Sequence, residues 1–165
     1  MTNVLDATDN ENAATIIHNP SKRVDRLSKP FAKITDTYSY VDDVLARVTR
    51  SSTGSSARFA ENALRLAGTK ILKEKTNQRK TVVLFMNEEP QSSLNQEIRA
   101  LKDANIFTSV IALGNNLDEK ELVRKIPDVT LLYVVNDQDE WTKVIEEIKE
   151  NKLTGKKDKG NIAVF

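Results

Sequence analysis

Apolar runs and amphipathic stretches follow one another along this chain in a regular order. Residues 13–18 (AATIIH) form a short apolar run closed by Asn19-Pro20, the pattern of a strand that ends in a turn. Residues 21–31 (SKRVDRLSKPF) space Val24 and Leu27 with charges and carry Pro30, which predicts a polar edge strand, because charge and proline keep an exposed sheet edge from pairing. Over 39–50, Val41, Val44, Leu45 and Val48 fall at i, i+3, i+4 and i+7, one face of a short helix. The hydroxyl-rich loop 51–56 (SSTGSS) leads into a longer helix over 57–73, where Phe59, Ala63, Ala67 and Ile71 recur every fourth residue. The loop oxygens therefore stand where free backbone N–H groups need caps.

After the solvated connection 73–80 (KEKTNQRK), the run 81–86 (TVVLFM) is continuously apolar, as in a parallel strand covered on both faces. A helix over 92–103, a strand over 107–113 (FTSVIAL), a helix over 118–125 and a strand over 130–135 (TLLYVV) follow with little slack. The last helix, 140–150, sets Trp141, Val144, Ile145 and Ile148 at i, i+3, i+4 and i+7. Such alternation predicts an α/β fold with parallel strands and helical crossovers. Residues 151–160 (NKLTGKKDKG) are basic, lack an apolar period and are expected to be mobile; the last five, NIAVF, turn apolar again.

Composition narrows the function more than the fold. The 165 residues suit one domain, divided here into a polar segment 1–12, a folded unit 13–151 and a basic tail 152–165 that holds the candidate strand 161–165. With 25 Lys+Arg against 24 Asp+Glu there is no basic excess for phosphates, so no nucleic-acid partner is expected. The absence of Cys removes disulfides, thiolate nucleophiles and Cys-ligated metals, and a single His removes two-histidine metal motifs. Residues 1–12 have neither a basic start nor an apolar core, and no run approaches the roughly 18–20 apolar residues of a membrane span, so neither a signal peptide nor membrane insertion is expected. The compartment stays open, extracellular only if the chain is part of a secreted or cell-surface parent.

In an open α/β sheet, ligands bind beyond the carboxyl ends of the strands. Three segments deliver polar groups there: Ser51, Ser52 and Thr53 in the hydroxyl loop, Asn87 and Glu88 after TVVLFM, and Asn115 after FTSVIAL. One reading is a shared oxygen-rich site for a hard cation such as Mg²⁺. The other is that these residues only cap helices and shape turns, which are their commonest uses. His18 has no sequence-adjacent carboxylate or nucleophile, and the neighbours Glu88 and Glu89 do not converge on one substrate atom. Phosphate-cradling glycine motifs and a Gly-x-Ser-x-Gly elbow are absent, so nucleotide cradles and nucleophile elbows lack support.

From about residue 13 to 150 the chain resembles a von Willebrand factor type A domain, the Rossmann-like module also found as the integrin inserted domain. TVVLFMNEEP looks like the family strand that ends in Thr-Asp-Gly, with Asn87 at the Asp position and Glu88 at the Gly position. SSTGSSARFAENAL looks like the family's Gly-Gly-Thr loop and the helix after it, with Thr53 at the metal-contacting Thr. LLYVVNDQDEWTKVIEEI is similar to the final strand and helix.

The resemblance implies a three-layer, mostly parallel sheet with one antiparallel edge strand. It also implies a protein partner, in an adhesion-type interaction. Members that bind through a metal begin with a central strand followed by Asp-x-Ser-x-Ser, and this chain shows neither. Of the family's metal contacts Thr53 alone is kept, and Asn87 offers an amide oxygen without charge, so no cofactor is expected; a residual Mg²⁺ would fall to Thr53 and Asn87. The central strand is then either missing or supplied by 161–165 as a permuted strand, unless NIAVF begins a further copy of the domain. The alternative reading is a small Rossmann-like or flavodoxin-like enzyme or regulatory domain that takes an anionic ligand in the same crevice.

Overall fold

The computed structural model describes residues 12–15, 29–33, 39, 41–43, 46, 59–71, 80–115, 117–149 and 161–164. The elements are β1 (Asn12–Thr15), β2 (Lys29–Lys33), α1 (Phe59–Leu66), β3 (Lys80–Met86), α2 (Asn95–Asp103), β4 (Ile106–Leu113), α3 (Glu119–Lys125), β5 (Leu131–Val135), α4 (Gln138–Lys149) and β6 (Asn161–Val164). Residues 39, 41–43 and 46 are helical, within the short helix expected over 39–50. Of the expected basic tail, 152–165, residues 161–164 are described as β6, and 152–160 and 165 lie outside the described residues.

All six strands form one sheet in the order β2-β1-β6-β3-β4-β5. β6 pairs in parallel with both β1 and β3, so the C-terminal segment fills the central slot that the sequence leaves open at its start.

β2 is the antiparallel edge strand, paired to β1 with an irregularity between Ala13 and Thr15. Its pairing falls at Lys29–Lys33, at the end of the stretch expected to form it; residues 21–28 lie outside the described set. Pro30 is tolerated because an edge strand needs no N–H on its outer side.

Alternation along β3 and β4 distributes the core between two faces. Val82, Leu84 and Met86 with Val110 and Ala112 join Ala60, Ala63 and Leu64 of α1, Ile98 and Leu101 of α2 and Leu122 of α3 in one buried cluster. The alternate residues Val83 and Ile111 are also fully buried. On that second face lies α4, whose Val144 and Ile145 are buried and whose Glu147 stands beside Tyr133 of β5. The continuous apolar runs thus mean what a two-faced strand requires: helices on both sides.

Of the expected helix 57–73, the described residues are α-helical over Phe59–Leu66 and continue as a π turn, Ala67–Ile71. There α1 comes close to α2: a Cβ at Gly68 would stand 3.1 Å from a Leu101 methyl. A second contact between these helices is ionic. Glu97 is buried on α2 and accepts from both Nε and a terminal nitrogen of Arg65 at 3.1 Å, while Arg65 also bonds Glu61 one turn away at 2.7 Å. Between α2 and β4 the chain reverses through Asn105 at φ 59°, a left-handed conformation that Asn tolerates better than most residues.

Tyr133 has its hydroxyl buried beside Glu147 without a well-aligned hydrogen bond. Desolvation first, and then the Glu147 carboxylate, push its pKa up to about 12. A raised phenol pKa contributes stability that is complete below about pH 10 and lost as pH rises through 12. Alkaline melts should therefore show a fall in stability over that window that is absent from Tyr133→Phe.

Candidate functional site

β3, β4 and β5 end level with one another: Met86 pairs with Ala112 and Ala112 with Val134. Their carboxyl ends therefore open onto a common rim. Immediately beyond β3, Asn87 and Glu88 are exposed, and Asn115 is exposed two residues beyond β4. With strands about 4.8 Å apart, the fold brings these three candidates to one edge of the sheet. Ser51, Ser52 and Thr53 lie outside the described residues.

The next residue, Glu89, faces the other way. Its carboxylate accepts from Lys125 Nζ at 3.0 Å and from the Asp118 backbone N–H at 3.3 Å. The Lys125 hydrogen bond, followed by that from Asp118, holds its pKa below the usual carboxylate range. Glu89 thus ties the turn after β3 to the start and end of α3, with Pro90 buried behind it. Its charge is already matched, so of the Asn-Glu-Glu run only Asn87 and Glu88 face solvent freely.

Around the rim, caps fix the loops. Gly114, at φ 136°, donates its N–H to Val135 O at 3.0 Å and so laces the ends of β4 and β5 together. Asp118 caps α3 by accepting from Lys120 N–H at 2.9 Å. Asp137 caps α4 by accepting from Glu140 N–H at 2.8 Å, and Glu140 returns the favour to Asn136 N–H at 2.6 Å. The Asp-x-x-Glu spacing at 137–140 is a capping-box signal legible in the sequence. The Glu89–Lys125 and Arg65–Glu97 pairs are not, since their partners are 36 and 32 residues apart.

At the centre of the sheet, β6 pairs with β3 only from Lys80 to Val83. Past Val164 the β6 side of Leu84, Phe85 and Met86 meets no strand among the described residues. The described rim offers two amides and one carboxylate. Among the described residues no three His, Cys, Asp or Glu side chains are grouped to hold a metal. Nor is any described helix long and apolar enough to cross a membrane.

A mostly parallel sheet with helices on both faces and a polar rim at the strand carboxyl ends defines a three-layer, Rossmann-like α/β module. Residues 21–150 match the family model of the von Willebrand factor type A domain, and the chain belongs to that family. Its members are commonly protein-interaction modules, generally without enzymatic activity. The matched stretch runs from the segment before β2 through α4, leaving out β1 and β6. Comparison with curated proteins returns no match.

Proposed function

We propose that this chain is a non-catalytic, adhesion-type module that binds another protein at the rim of β3 and β4 through a degenerate metal site. The observation that carries this reading is Asn87: the residue that follows the central β3 and stands exposed on the rim is a neutral amide. A divalent cation is held by charged oxygens arranged around it, and an amide contributes a dipole only. Of the two carboxylates that follow it, Glu89 is engaged by Lys125, so Glu88 alone stands exposed beside the amide. What remains is a set of exposed hydrogen-bonding groups on rigid strand ends, suited to a polar protein surface.

Binding should therefore persist in EDTA. The combined variant Asn87→Ala, Glu88→Lys, Asn115→Ala changes only exposed side chains, so it should fold normally and bind protein partners at least about tenfold more weakly, as loss of central contacts does. Affinity capture in EDTA, with bound proteins quantified for both forms, checks this. Equal recovery by the two forms, or binding abolished by EDTA, would contradict it.

A further inference from the structure

The two edges of the sheet are built differently. β2 carries Lys29, Pro30 and Lys33, the usual devices against strand addition. β5, at the opposite edge, is Leu-Leu-Tyr-Val-Val, with no charge, no proline and no irregularity in its pairing to β4. Leu131, Leu132, Tyr133 and Val134 all remain partly exposed. Val135 O accepts from Gly114 N–H at 3.0 Å, so by alternation Leu131, Tyr133 and Val135 turn their backbone groups toward β4 and those of Leu132 and Val134 point outward, where no strand meets them among the described residues.

We propose that the β5 edge pairs antiparallel with the β5 edge of a second copy of this chain, continuing the sheet across a two-fold axis. Centred on Tyr133, this register sets Leu131 opposite Val135 and Thr130 opposite Asn136 of the other copy. Tyr133 then meets its own symmetry mate as a non-hydrogen-bonded pair, and the outward backbone groups of Leu132 form a hydrogen-bonded pair with those of Val134 of the other copy. No charged residue lies within β5, so self-pairing brings no like charges face to face.

Charge at the strand ends selects the direction and the partner. The amino end of β5 follows Asp128, which is bonded by Arg99 and lies 3.7 Å from Lys102. The carboxyl end runs into Asp137, Asp139 and Glu140. Antiparallel pairing places the acidic end of each copy against the Arg99–Lys102 end of the other, twice by symmetry, whereas a parallel arrangement sets like against like. Two five-residue edges with their flanking turns make a small interface, so the dimer is a weak one.

The chain has no cysteine, which makes cross-linking a clean test. Thr130 and Asn136 are both exposed, so the double variant Thr130→Cys, Asn136→Cys should fold. On mild oxidation it should give a covalent dimer, with each single variant reacting roughly tenfold more slowly, because opposed Cα atoms at pairing distance meet disulfide geometry. Sedimentation from about 1 to about 500 µM should show reversible self-association of the unmodified chain, in the range of small interfaces. Asp139→Lys should weaken that association and Lys102→Asp in the same chain should restore it. A chain that stays monomeric throughout, or single variants that cross-link as fast as the double, would overturn the proposal. So would association left unchanged by Asp139→Lys.

Discussion

Removal of residues 161–165 is expected to abolish the cooperative unfolding transition and leave an aggregation-prone chain. β6 is the only strand among the described residues that joins β1 and β2 to the rest of the sheet. Without it, β1 keeps its pairing to β2 alone and β3 loses its neighbour along Lys80–Val83. Val82 and Val83 are fully buried, so the backbone groups left open beside them cannot turn to water without opening the core. Each buried group stripped of its partner costs about 1–3 kcal/mol, and several such groups together reach the whole stability of a domain, about 5–15 kcal/mol. Two long facing strand edges would also be exposed, which is the usual route to aggregation. Circular dichroism melts and light scattering check this. A truncated chain that melts cooperatively within a degree or two of the full one would show that β6 does not hold the sheet together.

Two single substitutions should each cost about 2–5 kcal/mol, the range for large aliphatic side chains truncated in a packed core. Leu84→Ala removes a side chain that is 1% exposed from the face shared with α1, α2 and α3, and Ile111→Ala removes one that is 0% exposed from the face bearing α4. A two-layer protein would lose that much on one face only. In the three-layer sheet both substitutions leave a cavity that rigid neighbours fill poorly. The two effects should be close to additive in the double variant, since the side chains lie on opposite faces and share no cluster. Urea unfolding of the three variants checks the sizes. A loss under about 1 kcal/mol at Ile111 would mean that its face is not a packed core.

Much of this architecture was readable from the chain because its signals are local. TVVLFM and FTSVIAL lack any polar alternation, and that by itself demands cover on both faces. Trp141, Val144, Ile145 and Ile148 give one helix face. The vacancy in the middle of the sheet was visible as a mismatch between the order of elements and the resembled fold, with NIAVF as one candidate to fill it. Less was readable where geometry depends on distant partners. The π turn after α1, where Gly68 comes close to Leu101, is announced by no local period. Glu88 and Glu89 look equivalent in sequence, yet one is exposed and the other is fixed by Lys125. Of the site, the fold unites Asn87, Glu88 and Asn115 on one rim. Ser51, Ser52 and Thr53 lie outside the described residues.

The claim that the rim works without a metal is tested most directly by isothermal calorimetry of the full chain with Mg²⁺ and Mn²⁺ at millimolar concentration. An amide at Asn87 and a carboxylate at Glu89 held by Lys125 predict only weak, non-saturating heats, the same for the unmodified chain and for Thr53→Ala. A saturable one-to-one isotherm that disappears in Thr53→Ala would contradict the account and return the chain to the metal-dependent members of its family.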